Sequence, residues 1–338
     1  MNSITGDMKH LKYILMVTVV VLLAACSDDN ADEQALKPDA ALRLAGVTRA
    51  DTGKPEYGDV RIFLTHGTTV TEGLFKYDGV SEWTTQLKLK SGTRTYQLYG
   101  YMPDNAAFVH SISNWDENGA TLHIQQLPPI TDKDYGVVTG VRQAADEHDE
   151  TPAVRGTFSF EYNSRNDNYV NLFLDHLYSH VVFCMRVGED YNVVRTIKIK
   201  RMTLQVTGTS PHPYDVDVTL TKDVGISSLA YNPKTAVAAT SELTIRDQEI
   251  TLTTASTTVC GGYVVPDAAL SAGLSLAIEY DIYDKRGNKI AERTATNSLT
   301  NPLNGLERGE ERTLQIVIDP SYLYDLSLND PPIVVVRN

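Results

Sequence analysis

Apolar and polar residues alternate with a period of two along much of the chain. In the run Gly156–Tyr162, Phe158, Phe160 and Tyr162 share one side and polar residues share the other. A half-buried strand has this period, because successive side chains point to opposite faces of a sheet. Similar segments rich in β-branched and aromatic residues recur at 61–64, 85–89, 95–99, 194–200, 202–206, 249–252 and 312–318. The pattern therefore predicts an all-β protein.

One hairpin is indicated especially clearly. The alternating run 274–283 is followed by the turn sequence 284–288 and by a return strand that begins at Lys289. No segment shows a long helical period, and only two short helical turns are predicted, near 104–109 and 266–272. Many short strands separated by turn signals are typical of β-sandwiches, and 338 residues are enough for two such domains.

The chain divides into five predicted segments. The polar stretch 163–168 breaks the strand pattern, which restarts at Tyr169, so we place the domain boundary near residue 172. The segments are a signal peptide (1–25), a flexible tether (26–40), an N-terminal β-sandwich (41–172), a C-terminal β-sandwich (173–320) and a C-terminal tail (321–338).

The first residues have the pattern of an export signal. Lys9 and Lys12 precede the apolar run 13–25, which is shorter than the roughly 20 residues of a membrane span. The run ends in Leu-Leu-Ala-Ala before Cys26, and small residues before a cysteine match the site of lipoprotein signal peptidase. We expect lipidation of Cys26 and a lipid anchor in the outer membrane, since two or three acyl chains anchor stably. The alternative is a secretory signal with a chance cysteine.

The net charge and the cysteines of the chain bear on its binding partners and on its disulfide bonding. The formal net charge of -13 disfavours nucleic-acid binding, because an acidic surface repels phosphates. Beyond Cys26, Cys184 and Cys260 are the remaining cysteines, and both have the surroundings of buried strand residues. A disulfide between them is an open alternative, although the sequence favours free thiols.

Neither an enzyme nor a cofactor or metal site is predicted. His176 and His180 have the spacing of helical zinc ligands, but their flanks indicate strand, where such residues lie about 13 Å apart. No G-x-S-x-G, Walker or dinucleotide motif is present. Trp83 and Trp115 could stack on a glycan. Trp115, in a polar segment predicted to be an exposed loop, is the candidate adhesion contact, with a simple loop anchor as the alternative.

Four sequence segments together carry a family likeness. They are Arg94–Pro103 (RTYQLYGYMP), Asp134–Gly140 (DYGVVTG), Leu174–Phe183 (LDHLYSHVVF), and the series formed by 261–266, 279–281, 306–309 and 318–320. With these segments and the lipidation signal, the chain resembles the fimbrillin family, the pilus and fimbria-like lipoproteins of Bacteroidales. The resemblance implies two tandem transthyretin-like β-sandwich domains.

The resemblance also implies assembly by strand exchange. A protease with trypsin-like preference cuts after an arginine near the first strand, and an extended segment of the next subunit fills the groove left behind. Here the candidate first strand is Ala41–Gly46 and the candidate cut lies between Arg49 and Ala50, in a polar segment. Arg43 is the less favoured cut because it lies inside the apolar strand. An ordinary exposed Arg49 is the alternative.

The tail supplies the candidate donor strand, Ile333, Val334, Val335 and Val336, which follows two prolines. Such a tail either adds an edge strand to its own domain or lies in a neighbour's groove. The sequence predicts a structural or tip-type adhesive subunit of a surface fimbria, with other fimbrial subunits and a host or bacterial surface glycan or protein as partners. The alternative is a stand-alone surface lipoprotein that binds a ligand without polymerising. Stalk, tip and anchor roles stay open.

Overall fold

A computed structural model describes residues 39–49, 58–163, 168–206, 213–234, 241–319 and 334–337. The described residues form 24 strands and two short helices. The predicted all-β class is therefore confirmed. In the strand Ser179–Val187 and the strand Tyr214–Thr221, buried and partly exposed residues alternate one by one, as the sequence pattern requires.

Thirteen of the described strands belong to the amino-terminal half. They are β1 (Ala40–Ala41), β2 (Arg43–Arg49), β3 (Val60–His66), β4 (Thr69–Tyr77), β5 (Trp83–Thr84), β6 (Lys88–Leu89), β7 (Arg94–Met102), β8 (Val109–Asp116), β9 (Gly119–Leu127), β10 (Ile130–Thr131), β11 (Gly136–Gln143), β12 (Ser159–Tyr162) and β13 (Tyr169–His176).

The carboxy-terminal half contains the remaining elements. They are β14 (Ser179–Val187), α1 (Glu189–Val194), β15 (Arg195–Val206), β16 (Tyr214–Thr221), β17 (Gly225–Pro233), β18 (Ser241–Arg246), β19 (Ile250–Thr251), β20 (Thr257–Val264), α2 (Ala268–Gly273), β21 (Leu274–Asp284), β22 (Lys289–Ser298), β23 (Glu311–Ile318) and β24 (Val334–Arg337).

The strands are arranged in four larger sheets and one small pair. The N-sheet has the order β2-β13-β11-β7-β3-β4-β5, and β12 also pairs with β7. The bridging sheet has the order β17-β16-β9-β8, the tail sheet β10-β20-β14-β23-β24, and the hairpin sheet β18-β15-β21-β22, with β19 on β15. Strands β1 and β6 pair to form a short flap. Among the strands that the structure describes, two pairs are parallel, β2 with β13 and β14 with β23.

The N-sheet lies between two hydrophobic cores, because its strands are apolar on both faces. On β3, Ile62 belongs to one core and Phe63 to the other, and on β7 Leu98 and Tyr99 divide in the same way. The first core is confined to residues 42–174 and includes Leu42, Leu44, Val47, Ile62, Trp83, Leu87, Leu89, Leu98, Val138, Val170, Leu172 and Leu174. The shared core runs from Phe63 to Ile318 and includes Tyr99, Leu122, Leu177, Val181, Leu204, Val216, Leu276 and Leu314.

The shared core exists because strands from both halves meet in one sheet. In the bridging sheet, β16 pairs with β9 from Tyr214 opposite Leu127 to Thr221 opposite Gly119. The contact is close at Gly119, where a Cβ atom would lie 1.9 Å from the Leu220 carbonyl oxygen. In the tail sheet, β10 pairs with β20. Strands on either side of the predicted boundary thus complete each other's sheets.

The predicted boundary at residue 172 needs correction. Leu172 lies in the middle of β13, which continues in the N-sheet to His176. Residues 177–178 then connect β13 to β14 of the tail sheet. The polar stretch before Tyr169 therefore precedes the last strand of the N-sheet and does not separate two domains. That the halves form two tandem transthyretin-like domains stays a prediction.

Some of the short sequence patterns predicted the local structure correctly and others did not. The predicted hairpin is confirmed as β21 and β22, with the Asp284 carboxylate accepting bonds from the backbone N–H groups of Arg286 and Asn288. The helical turn near 266–272 is α2, whereas 104–109 contains only a turn and α1 was not predicted. Phe158 lies in the shared core while Phe160 lies in the first core, so the run 156–162 is not one continuous strand face.

Candidate strand-exchange site

Strand β2 lies at an edge of the N-sheet and belongs to the first segment of chain that the structure describes. It pairs in parallel with β13, with Arg43 opposite Tyr169 and Arg49 opposite Leu174. The N–H of Leu42 also donates to the Leu87 carbonyl oxygen at 2.9 Å. The predicted first strand, Ala41–Gly46, is thus part of a sheet, although it begins two residues later and extends to Arg49.

Three side chains from this segment close the first core. Leu42, Leu44 and Val47 are 1%, 6% and 2% exposed. Burying an aliphatic side chain of this size contributes about 1.5–3 kcal/mol, so the three together contribute roughly 6 kcal/mol. Removing the segment would expose the apolar side of the first core along β13. The geometry is that of an apolar groove occupied by an edge strand.

Arg49, the predicted cleavage residue, is buried at the end of β2. It is 2% exposed and lies in an ion cluster between β2, β13 and the chain before β11. One guanidinium nitrogen is 3.2 Å from the Asp134 carboxylate, and the other donates to the Asp134 carbonyl oxygen at 2.7 Å. His176 Nδ1 lies 2.7 Å from the same carboxylate. Arg49 is therefore not the ordinary exposed arginine that the sequence left as an alternative, while cleavage after Arg49 stays a prediction.

Arg43, the less favoured cut, is the exposed arginine of this strand. Its guanidinium donates to the Tyr169 hydroxyl at 2.6 Å, and this bond is the main cause that raises the pKa of Arg43 above its ordinary value. Leu42 and Leu44 on either side of it are buried while Arg43 itself is exposed, so its apolar neighbours do not bury it. A cleft of about 470 Å³ borders this side of β2 and is lined by Glu82, Glu147 and His148, among others.

The C-terminal tail forms an edge strand on its own chain. Strand β24 pairs antiparallel with β23, with Val334 opposite Ile318 and Arg337 opposite Gln315. Of the predicted donor residues, Val334, Val335 and Val336 lie in this strand, and Ile333 lies outside the described residues. The structure thus has the first of the two arrangements that the sequence left open. Donation to a neighbouring subunit stays a prediction.

Neither tryptophan lies on an exposed loop. Trp115 is in strand β8, partly buried, and packs against the shared core, so the expected loop position was wrong. The prediction of Trp115 as an adhesion contact is untested. Trp83 is 8% exposed, packs in the first core and donates its indole N–H to the Gly58 carbonyl oxygen at 2.8 Å. Its ring is therefore covered by the protein itself.

The predicted histidine pair is divided between two strands. His176 ends β13 in the Arg49 cluster, whereas His180 is in β14, stacks on Tyr263 and lies 3.1 Å from the Glu311 carboxylate. Within the described ranges, no group of histidine, cysteine and acidic residues has the arrangement of a metal site.

The two cysteines of the body are free thiols, as the sequence favoured. Cys184 lies near the Thr258 hydroxyl, at 3.4 Å, whereas the Cys260 sulfur is 3.5 Å from that of Met202. Burial raises the pKa of the Cys260 thiol to about 12. The lipidation residue Cys26 and the cut partner Ala50 lie outside the described residues. Among the described helices, none is long and apolar enough to cross a membrane.

One constellation was not predicted. Ser113, His123 and Asp217 come from β8, β9 and β16 and meet on the outer face of the bridging sheet. The Ser113 hydroxyl oxygen is 2.8 Å from His123 Nε2, and His123 Nδ1 is 2.6 Å from an Asp217 carboxylate oxygen. Strand alternation could place each residue on an outer face. Their meeting depends on a pairing across 94 residues, for which the sequence carries no local signal.

Comparisons with known proteins concern the fold. No known family profile matches the sequence, and no curated protein matches it. A fimbrial protein from Bacteroides vulgatus has a similar structure, with a TM-score of 0.50 and 12% identity over 87% of this chain and 98% of that one. The fimbrial anchor protein Mfa2 from Porphyromonas gingivalis has a TM-score of 0.29 and 12% identity over 86% of this chain and 95% of that one.

A further similar structure is a protein described as a cell adhesion protein, from Bacteroides uniformis. Its TM-score is 0.41, with 10% identity over 88% of this chain and 96% of that one. At such identities a likeness concerns the fold alone. The likeness recognised in the sequence is thus confirmed at the level of fold, which this chain shares with the Bacteroides vulgatus fimbrial protein.

Proposed function

We propose that this chain is a fimbrial or adhesin-like subunit of the cell surface, held in the outer membrane by lipidated Cys26 and assembled by strand exchange at the first core. The observation that carries the proposal is strand β2, an edge strand whose apolar side chains close a core. The shared fold with a fimbrial protein supports the surface role. The partners are other fimbrial subunits.

Strand exchange follows from what β2 supplies. Its main chain completes hydrogen bonding along β13, and Leu42, Leu44 and Val47 fill the groove. An extended segment of another subunit with apolar residues at alternate positions can supply both, because main-chain bonds give general affinity and side-chain pockets give register. An unoccupied groove leaves an unpaired edge and exposed apolar surface, which favours capture of a partner.

Cleavage after Arg49 requires the end of β2 to open. The Asp134 carboxylate holds the guanidinium, and a protease needs the surrounding backbone extended in its own active site. When opening is fast relative to cleavage, the rate follows the population of the opened state. Processing is therefore slow in the isolated subunit and increases when the Arg49 cluster is weakened.

Limited trypsin digestion tests the proposal. We expect a new N-terminus at Ala50, loss of the 39–49 segment and concentration-dependent oligomers in size-exclusion chromatography. Arg49→Gln abolishes both results, and Arg43→Gln in the same strand is the matched control that leaves them unchanged. A nicked chain that stays monomeric at every concentration contradicts strand exchange.

The Arg49 cluster is tested by Asp134→Ala. Removing one partner of a partly buried ion pair leaves the other uncompensated, so we expect cleavage at Arg49 to accelerate about ten-fold or more. Glu72→Gln, which breaks the Arg61 ion pair near the opposite edge of the N-sheet, is the control and leaves the rate unchanged. Equal rates in the two variants contradict a protective role for Asp134.

A stand-alone surface lipoprotein that binds a ligand without polymerising is the second candidate. Two observations favour it: the tail pairs with β23 of its own chain, and Arg49 is buried. The tail can act as donor only by leaving β23. Deleting residues 321–338 separates the two functions. A donor role predicts that nicked subunits without the tail no longer form oligomers, and the stand-alone role predicts a monomer in both cases.

The anchor has its own test. Cys26→Ser removes the thiol that would carry the acyl chains, so we expect the protein to move from the outer-membrane fraction to the soluble fraction. Incorporation of labelled palmitate is lost in the same variant. A membrane-bound, unlabelled Cys26→Ser protein contradicts anchoring through this residue.

A further inference from the structure

The outer face of the bridging sheet carries a serine, a histidine and an aspartate in one hydrogen-bonded line. The Asp217 carboxylate lies 2.6 Å from His123 Nδ1 and therefore accepts a hydrogen from it. This fixes the tautomer, because the proton on Nδ1 leaves a lone pair on Nε2. The Ser113 hydroxyl lies 2.8 Å from that nitrogen and donates to it. The order of donors is that of a serine nucleophile with its base.

A fourth residue forms a hydrogen bond with Asp217 and so helps to hold it in place. The side-chain amide of Asn232, on β17, donates to the second oxygen of Asp217 at 2.9 Å. Asp217 also lies directly opposite His123 in the strand register. The aspartate is thus bound on one oxygen by the base and on the other by the amide. A serine hydroxyl, its base and the group that orients the base occupy four adjacent strands of a rigid sheet.

Reagents can reach this line from solvent. The His123 and Asp217 side chains are 34% and 45% exposed. Thr121 lies directly opposite Ser113 on the neighbouring strand, and in an antiparallel pair such side chains are close enough to interact. Its hydroxyl is a candidate donor to an oxygen that becomes negative when Ser113 attacks a carbonyl. The face opposite the shared core therefore holds the elements of an acyl-transfer site.

We propose that Ser113 is a nucleophile toward small activated esters, with His123 as its general base and Asp217 and Asn232 as positioning residues. The Ser113 oxygen bonds to the ester carbonyl carbon while its proton passes to His123 Nε2. The ester C–O bond then breaks, and the leaving alcohol takes that proton. Water, deprotonated by His123, attacks the acyl-serine, the acid is released, and the proton returns to Ser113.

This site is separate from strand exchange. Ser113, His123 and Asp217 lie on the bridging sheet, whereas β2 closes the first core on the other side of the N-sheet. The proposed acylation therefore does not depend on cleavage or polymerisation. A positioned general base accelerates a reaction by about 10²–10⁴-fold. Because the line is solvent-exposed and small, we expect the lower end, about 100-fold.

Labelling with an alkyl fluorophosphonate is the direct test. The serine oxygen displaces fluoride from phosphorus, and the adduct is located by peptide mass spectrometry. We expect labelling of the folded, full-length protein at Ser113, at a rate that falls about 100-fold in His123→Gln. Ser111→Ala is the matched control, since Ser111 lies on the same strand as Ser113 and directly opposite His123 on β9. It leaves the labelling unchanged, whereas Ser113→Ala abolishes it.

Hydrolysis of p-nitrophenyl acetate tests the positioning residue. We expect Asp217→Asn to lower the rate of acylation with little change in KM, and Asp217→Glu, which keeps the carboxylate, to retain part of the rate. Thermal unfolding shows whether each variant is folded. Labelling that is absent, that falls on another serine, or that is as fast in His123→Gln overturns the proposal. So does an equal loss in the Asn and Glu variants when both are folded.

Discussion

The first core and the shared core lie on opposite faces of the same sheet, and they are closed in different ways. The first core is confined to residues 42–174, and the chain that closes one side of it is β2, in the first segment that the structure describes. The shared core extends to Ile318 and is closed by strands from both halves. One face of the N-sheet is thus completed by a terminal segment and the other by an internal hairpin.

This difference decides where a strand can be exchanged. A terminal strand can leave after one cut, and the sheet that it leaves remains connected through its other strands. The hairpin β16–β17 is attached at both ends and pairs with β9 along its length. Its removal would need two cuts and would open the centre of the molecule. Each core also has its own fluorescent reporter, Trp83 in the first core and Trp115 against the shared core.

The largest expected effect comes from removing the chain before Ala50. Without Leu42, Leu44 and Val47 the first core loses roughly 6 kcal/mol of burial, and its edge is unpaired. We expect self-association and a red shift of Trp83 emission, measured in a Trp115→Phe background. A synthetic peptide of residues 39–49 added in trans reverses both. Removal of 334–338 is the control and leaves Trp83 emission unchanged. A truncated protein that stays monomeric and keeps Trp83 buried contradicts the view that β2 closes the first core.

A cavity in the shared core is the next test. Leu122, on β9, is completely buried, and Leu122→Ala costs about 2–5 kcal/mol. Because the bridging sheet joins the halves, we expect the denaturation midpoints of both tryptophan signals to fall together. The single-tryptophan variants report them separately. If the Trp83 midpoint stays fixed while the Trp115 midpoint falls, the two cores are independent units.

A smaller effect concerns the loop that packs beside β13. A hydrogen bond from Arg142, with bonds from the Ala145 and Thr151 backbones, holds the pKa of Asp149 well below its ordinary value. A carboxyl of this kind contributes stability above the ordinary pKa of about 3.9 and loses it as the pH falls below that value. We expect Asp149→Asn to destabilise the protein at pH 6, by urea titration, and the difference to shrink progressively as the pH falls below about 3.9. A constant difference contradicts this.

The smallest expected effect is a difference in reactivity between two thiols, with the stability of the protein unchanged. Cys260 packs against the shared core and its pKa is raised to about 12 by burial, which keeps it protonated. Burial therefore leaves a much smaller fraction of Cys260 as the reactive thiolate than an ordinary thiol has. We expect an aromatic disulfide reagent to modify Cys184 much faster, as shown by peptide mapping. Equal rates would indicate that the shared core opens readily.

Sequence patterns predicted what depends on neighbours along the chain. The β21–β22 hairpin is determined by its own alternation and by the Asp284 turn, and the edge strand near 41–46 by its leucines. The burial of Arg49 depends on Asp134 and His176, which are distant in sequence. The bridging sheet escaped prediction for the same reason. Strands β9 and β16 each have the pattern of an ordinary strand, and no nearby residue identifies which strand pairs with which. Residue 172 was therefore placed between domains when it is inside one sheet.

The bridging sheet also restricts when the molecule can become native as its chain emerges. If the chain crosses the inner membrane unfolded and amino end first, β8 and β9 emerge long before β16 and β17 exist outside. The outer layer that covers one face of the N-sheet is then incomplete, and Tyr99 and Leu122 stay partly exposed to solvent. Native structure in the early part must wait until Pro233 has emerged. A chain that emerged in this order would keep apolar side chains of its first half exposed until the β16–β17 hairpin arrived.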